Sequence, residues 1–325
     1  MRQITYVQAI NEALREEMRR DERVFYLGEG VGITGGSFGV TLGLMREFGE
    51  SRVRETPISE AAIVGFAVGA ALGGMRPVAE IGSHNWIYHA MDMICNHAAK
   101  LTYMSGGRLP MPVVVRSHGG ETPGSGAQHA QFLAATFMHF PGLKVVTAAT
   151  PYDIKGLTKT ALRGEHPVLL LDHRQNYGVK GEVPEEEYTI PFGRAEVRRP
   201  GKDVTIVAIS HCVHRALAAA QQLAQEGIEA EVVDPRTLVP LDTRTIIDSV
   251  SKTGRLVIVE PGWRSNGVGA EIAAMVAEEC IDCLDAPIKR VAMKGVPVPF
   301  DVPLMESVAP NANDIAEAAR SLLRR

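Results

Sequence analysis

Between residues 5 and 20 the apolar positions Val7, Ile10, Leu14 and Met18 recur three or four apart, with Glu and Arg between them, which predicts an amphipathic helix. RVFYLGEG (23–30) predicts a strand running into GVGITGGSFG (30–39), whose glycines require a loop or tight turns. TLGLMREFG (41–49) predicts a short helix closed by Gly49. ETPISE (55–60) predicts a turn before an almost wholly apolar helix over 61–74. Gly65, Gly69 and Gly73 fall four apart on it, a spacing that lets another backbone approach closely. RPVAEIGS continues as strand and loop, and IYHAMDMICNHAAKLTYMSGG (87–107) predicts one long helix stopped by glycines. MPVVVRS (111–117) predicts a buried strand, and residues 119–140 a polar loop entering a helix. LKVVTAA, PYDIKGLTKTALRG and PVLLLDH then predict strand, helix and strand. Strands alternating with helices imply a parallel sheet covered on both faces.

The pattern breaks at RQNYGVKGEVPEEEYTIPFGRAEVRRP (174–200), where proline, glycine and charge dominate. A second alternating series follows: DVTIVAIS, HRALAAAQQLAQEG, IEAEVVD, a helix near 243–252, RLVIVE, GVGAEIAAMVAEEC and IKRVAM. NANDIAEAARSLLRR closes the chain as an amphipathic helix with Asn311 or Asn313 available as its cap. The expectation is two α/β domains, residues 1–174 and 201–325, joined by a linker over 175–200, with no internal repeat. A length of 325 residues agrees with two domains.

Net charge is −4, which argues against nucleic acid as a partner. The most apolar stretch, 61–74, is too short to cross a bilayer, and the mixed, charged start is not a signal peptide. Four cysteines are too few for a disulfide framework, so a reducing, cytoplasmic setting is expected. Cys280 and Cys283 form one CxxC at a predicted helix end. With no second pair and no thioredoxin-like context, ordinary buried thiols are expected there.

GEGVG (28–32) follows a strand, but Ile33 breaks the GxGxxG fingerprint, and no phosphate loop, HExxH or GxSxG is present. Glu60 opens the apolar helix. Most carboxylates there simply answer the helix dipole, but one beside close-packed apolar residues is partly desolvated and suited to sharing a proton. Histidines gather at 84, 89, 97, 118, 129 and 139. His129 follows a glycine-rich loop, and His84, Trp86 and His89 lie just past a strand end, where open parallel sheets place ligands. His139 fits a core position and His97 a solvent-facing one, and no zinc-ligand spacing is present.

ETPISE, AAIVGFAVGAALGGMRPVAE, NHAAKLTYMSGG, GAQHAQ and PGLKVV, followed by EVVDPRTLVPLD, GVGAEIAAMVAEE, LDAPIKRVA and VPVPF, resemble the β subunit of thiamine-diphosphate-dependent 2-oxoacid dehydrogenase E1 components, including the pyruvate, branched-chain and acetoin enzymes. The resemblance runs from about residue 4 to the C-terminus. It implies a transketolase-like pyrimidine-binding domain followed by a transketolase C-terminal-like domain. It implies an α2β2 heterotetramer in which the α subunit binds the diphosphate and Mg2+, and indeed no Gly-Asp-Gly magnesium motif occurs here. Some members also bind K+ near the helix around 155–165. By resemblance, Glu60 meets N1′ of the aminopyrimidine, Trp86 stacks beside that ring, His89 lies near the cofactor, and His129 orients substrate and moves a proton. The implied reaction is decarboxylation of a 2-oxo acid, pyruvate foremost, with acyl transfer to the lipoyl group of an E2 acyltransferase. A split transketolase-like transferase and a noncatalytic scaffold are the alternatives. The chain departs from the family pattern at Gly30, where an acid is usual, at Met93, where Asp-Gln-Ile is usual, and in the polar loop GSHNWIYHA.

Overall fold

The computed structural model describes residues 1–323, and the chain divides into two compact units. Residues 1–119 and 136–192 form the first; residues 120–135 and those from 193 onward form the second.

In the first unit, strand β1 (Arg2–Thr5) leads into helix α1 (Tyr6–Arg20). Thr5 and Gln8 make a reciprocal capping box: the Thr5 hydroxyl accepts from the Gln8 N–H at 3.2 Å, and the Gln8 side chain accepts from the Thr5 N–H at 2.8 Å. Strands β2 (Val24–Gly28), β3 (Val53–Glu55), β4 (Arg76–Ile81), β5 (Val114–Gly119), β6 (Lys144–Val146) and β7 (Val168–His173) form a parallel array in the order β6-β7-β5-β4-β2-β3. Strands β4, β5 and β7 are buried along their whole length, as a sheet covered on both faces demands. Helices α2 (Leu44–Phe48) and α3 (Glu60–Leu72) follow β2 and β3. The segment expected to be a partly extended linker contains β8 (Lys180–Val183), which pairs antiparallel with β1.

The single helix expected over 87–107 does not form. A 3₁₀ segment (His84–Ala90), a π segment (Met93–Ala98) and a short α4 (Leu101–Met104) take its place. Tertiary packing overrides the helical pattern. Gly142 approaches the Ala99 carbonyl so closely that a Cβ there would lie 2.0 Å from the oxygen. The widened turn, in which the Ala99 N–H donates to the Ile94 carbonyl at 3.0 Å, keeps Ile94, Cys95, Ala98 and Ala99 buried. The helix expected after residue 119 likewise shrinks to α5 (Ala134–Met138). Helix α6 (Pro151–Arg163), capped by Thr150, packs on α1, and its buried Lys155 and Lys159 ammonium groups each lie 2.7 Å from the Glu16 carboxylate.

The second unit has a five-stranded sheet. Its strands are β9 (Glu196–Arg199), β10 (Val204–Ala208), β11 (Ala230–Asp234), β13 (Leu256–Trp263) and β14 (Lys289–Met293), with β12 (Thr237–Val239) between β11 and β13 in sequence. The order is β14-β13-β10-β11-β9, all parallel except β9. Helices α7 (Cys212–Ala224), α8 (Thr243–Thr253), α9 (Val268–Cys280), α10 (Val302–Val308) and α11 (Ala312–Leu323) complete it. Asn311, rather than Asn313, caps α11: its side-chain oxygen accepts from the Asp314 N–H at 3.0 Å. Among the described residues no helix is long and apolar enough to cross a membrane.

Candidate active site

Glu60 is the first residue of α3 and is half-buried. The rest of α3 is apolar or glycine, so Glu60 is the helix's one ionisable group, set where unpaired backbone N–H groups favour negative charge. The turn before it is tied down locally. The Thr56 N–H donates to the Gly28 carbonyl at 3.0 Å, and the Glu55 carboxylate accepts from the backbone N–H groups of Gly30 and Gly32, the latter at 2.8 Å. One carboxylate therefore joins the glycine-rich loop to the segment that delivers Glu60.

The same helix packs on the 84–90 segment and on the π segment. Of the three spaced glycines, Gly65 meets a neighbour within the chain, with the Met93 sulfur 3.4 Å from where a Cβ would stand, whereas Gly69 faces open space. Trp86 is half-buried, and its indole lies against Gly82, where a Cβ would fall 2.8 Å from the ring. His89 is exposed on the same short segment. His84 is fully buried, with Nε2 3.3 Å from the Ser117 carbonyl oxygen, which makes it a brace between β4 and β5. Glu60, Trp86 and His89 thus stand on contacting elements just past the carboxyl ends of β3 and β4, where parallel sheets place ligands.

Beside this turn lies a cleft of about 970 Å³ walled by Leu27, Ile33, Met45, Glu55, Ala62 and Phe66. It borders the Ala62–Phe66 side of α3, and Glu60 is not among its walls.

Beneath the loops is a buried ionic network that the sequence reading did not single out. The Arg116 guanidinium lies 2.8 Å from Glu80 and 2.7 Å from Asp172, and it also bonds the Tyr177 hydroxyl. Tyr26 donates to Glu80, and Tyr6 donates to Asp172 at 2.8 Å. Burial pushes the Asp172 carboxyl above the usual carboxylate range, against the opposing pull of Arg116. Glu80 reaches outward to accept from the Ser37 N–H at 3.3 Å, so the network also anchors the glycine-rich loop. The available signal was a charged residue inside each of three buried strands: Glu80 in β4, Arg116 in β5 and Asp172 in β7. His118, at the end of β5 between Phe38 and Tyr177, is held well below the ordinary histidine range by burial and by the charges of Arg174 and Arg116.

His129 belongs to the second unit and is half-buried in the loop 120–133. Glu121, fully buried in that loop, pairs with Arg215 of α7 at 2.6 Å, and the Gly120 N–H donates to the Gln131 carbonyl at 2.9 Å. A groove of about 790 Å³ beside His129 in sequence is lined by Gln128, Gln131, Trp263, Arg264 and Val296. His97 is exposed, 3.4 Å from Asp92. His139, expected to fit the core, is also exposed, because the helix expected to carry it inward ends at Met138.

Residues 2–180 match the family model "Transketolase, pyrimidine binding domain", and residues 193–315 match "Transketolase, C-terminal domain". The chain is 46% identical to the 2-oxoisovalerate dehydrogenase subunit beta of Bacillus subtilis, over 97% of each chain. It is 47% identical to the pyruvate dehydrogenase E1 component subunit beta of Rickettsia felis, over 98% of each. It is 46% identical to the acetoin:2,6-dichlorophenolindophenol oxidoreductase subunit beta of Cupriavidus necator, over 99% of this chain and 98% of that one. A solved structure titled "Split gene transketolase, inactive beta4 tetramer" superposes with a TM-score of 0.81 at 26% identity, over 98% of both chains.

Proposed function

Because the chain belongs to the β-subunit family of thiamine-diphosphate-dependent 2-oxoacid dehydrogenase E1 components, we propose that it carries the pyrimidine-activating half of an active site completed by an α subunit. It is a catalytic E1 β subunit of an acyl-transferring system. The finer assignments are Glu60 and His129 as catalytic groups, Trp86 and His89 beside the cofactor, and pyruvate as the substrate. An α2β2 assembly, Mg2+ held mainly by α, K+ near α6, a lipoyl acyltransferase as acceptor and a cytoplasmic setting complete the proposal. Four free thiols support a reducing compartment.

The residues present fit an aminopyrimidine: a half-buried carboxyl at a helix N-terminus and a half-buried indole on a neighbouring turn. When bound, thiamine diphosphate supplies the nucleophilic carbon and the electron sink for decarboxylation. In this reading Glu60 shares a proton with a ring nitrogen. Trp86 offers a flat face for stacking, and His129 passes a proton to or from the acyl oxygen. Pyruvate is placed foremost among the candidate 2-oxo acids, with branched-chain acids and acetoin as the alternatives, since relatives acting in all three systems are about equally similar. Exposed Phe66 and Leu72, with Gly69 facing open space, support α3 as part of the surface that meets the α subunit.

The carrying observation is Glu60 as the sole ionisable residue of α3, at its N-terminus and beside the Trp86 turn. The test is to co-purify the chain with its α subunit, weigh the assembly by native mass spectrometry, and compare turnover of pyruvate with that of branched 2-oxo acids. Glu60→Gln should leave the assembly mass unchanged and lower turnover by about 10²–10⁴-fold. Undiminished turnover removes Glu60 from the mechanism, and a stable homomer without cofactor argues against the split site. The likeness to a split-gene transketolase keeps a second reading, ketol transfer to a carbonyl acceptor without E2, which the same assembly tests with a sugar-phosphate acceptor.

A further inference from the structure

The CxxC motif at the end of α9 plays no part in the proposed decarboxylation. Cys280 ends α9, and Cys283 ends the single 3₁₀ turn Ile281–Cys283 that follows. The two thiols interact directly with each other, and burial together with that contact pushes the Cys280 thiol up. Cys280 is buried, while Cys283 is partly accessible. The Ser251 hydroxyl of α8 lies 3.3 Å from the Cys283 sulfur and donates to it. Three residues across one turn separate the Cα atoms by roughly 5–6 Å, inside the range a disulfide spans without backbone movement. Cys95 and Cys212 are both buried. Among the described residues no group of three or more ligating side chains surrounds the pair, so a metal clip is not the reading.

We propose that Cys280 and Cys283 form a reversible redox-active dithiol, with Cys283 reacting first with a hydroperoxide and Cys280 resolving it. The Cys283 thiolate attacks one peroxide oxygen and the O–O bond breaks. This leaves a sulfenic acid on Cys283 and hydroxide, which takes up the proton released by the thiol to become water. The Cys280 sulfur then displaces the hydroxyl from Cys283, and this leaves with the Cys280 proton as a second water. The two thiols lose two hydrogens and two electrons, and hydrogen peroxide becomes two waters. Cys280 suits the resolving role because its burial keeps it protonated until the neighbouring sulfur becomes electrophilic. Cys283 suits the sensing role because it is accessible and receives a hydroxyl hydrogen bond.

Both cysteines lie on one tryptic peptide, residues 265–289. The chain paired with its α subunit is exposed to hydrogen peroxide, denatured, alkylated and mapped by mass spectrometry. The expected product is that peptide lighter by two hydrogens and carrying no alkyl group, restored by a dithiol reductant, while Cys95 and Cys212 remain alkylatable. In Cys280→Ser, Cys283 should advance to sulfinic and sulfonic acid, which the reductant does not reverse. Full alkylation of both cysteines in the treated wild type, or an unmodified Cys283 in Cys280→Ser under the same dose, would overturn the proposal. Accumulation of sulfinic Cys283 beside alkylated Cys280 in the wild type would overturn the resolving role.

Discussion

Replacing Arg116 by methionine isolates what the buried network does. The guanidinium is 1% exposed and sits between the carboxylates of Glu80 and Asp172, at 2.8 and 2.7 Å. Methionine fills much of the volume but leaves two carboxylates of like charge buried without their counter-ion. Breaking a buried pair from one side costs about 3–5 kcal/mol. With a tenfold change for every 1.4 kcal/mol, that is roughly a 140- to 3,700-fold rise in the population of openings that expose β5. Hydrogen exchange of the 114–119 amides reads this directly in the assembled enzyme, without treating a two-unit chain as two-state. The loss should shrink in mild acid, where the stranded carboxyls take up protons. Arg116→Met combined with Glu80→Gln and Asp172→Asn should recover much of the protection, because no buried charge then remains unpaired. A change in β5 protection below tenfold for Arg116→Met, or no recovery in the triple variant, would refute the reasoning.

Burial raises the Glu260 carboxyl to about 7, although it accepts from the Val268 and Gly269 N–H groups at 2.9 and 2.8 Å. A raised carboxyl contributes stability that is present below its unfolded value of 4.5 and lost as pH rises through about 7, at most about 3 kcal/mol in all. Glu260→Gln should flatten the decline in α9 exchange protection over that window; an unchanged slope would exclude Glu260 as its source. Gly142→Ala, at φ +99 and with its Cβ 2.0 Å from the Ala99 oxygen, should lower stability by about 2–4 kcal/mol, read as a lower melting temperature. Glu55→Gln should speed exchange across residues 28–36 while leaving the sheet amides slow, and equal loosening of both would show that Glu55 is not a local clamp. His129→Ala should lower turnover by about 10²-fold or more with the assembly intact, and full turnover would remove it from the catalytic set.

Most of the architecture was legible because the central strands β2, β7, β10, β11 and β13 are short, mostly apolar runs and most of the long helices, α3 apart, have a wet face, whereas β3 (VRE) and β9 (EVRR) carry no such run. The helices α1, α6, α8 and α11 follow their periodicity closely. Residues 87–107 were misread because their pattern is helical, whereas the widened turn packs its Ala99 carbonyl against the backbone of Gly142, a contact far off in sequence. The membership of 120–135 in the second unit was invisible for the same reason: it depends on Glu121 reaching Arg215 across 94 positions. Glu60 and Trp86 stood out because a carboxylate heads an apolar helix and an indole follows a strand end. Glu55, Glu80, Arg116 and Asp172 did not, because a lone charge in a strand does not announce its partners. His84 looked like a ligand in sequence and is a buried brace, since burial is not written into a residue's type.

Beyond Glu60, helix α3 is apolar all round, yet Phe66 is 53% and Leu72 43% exposed. A helix of that composition is at home only when covered. The consequence concerns supply rather than chemistry. Chains synthesised beyond the number of available partners would display a sticky stripe and be removed by self-association or proteolysis. On the proposal that α3 meets the α subunit, output of the two subunits should be matched at synthesis, and a cell that overproduces this one alone should accumulate aggregate instead of enzyme.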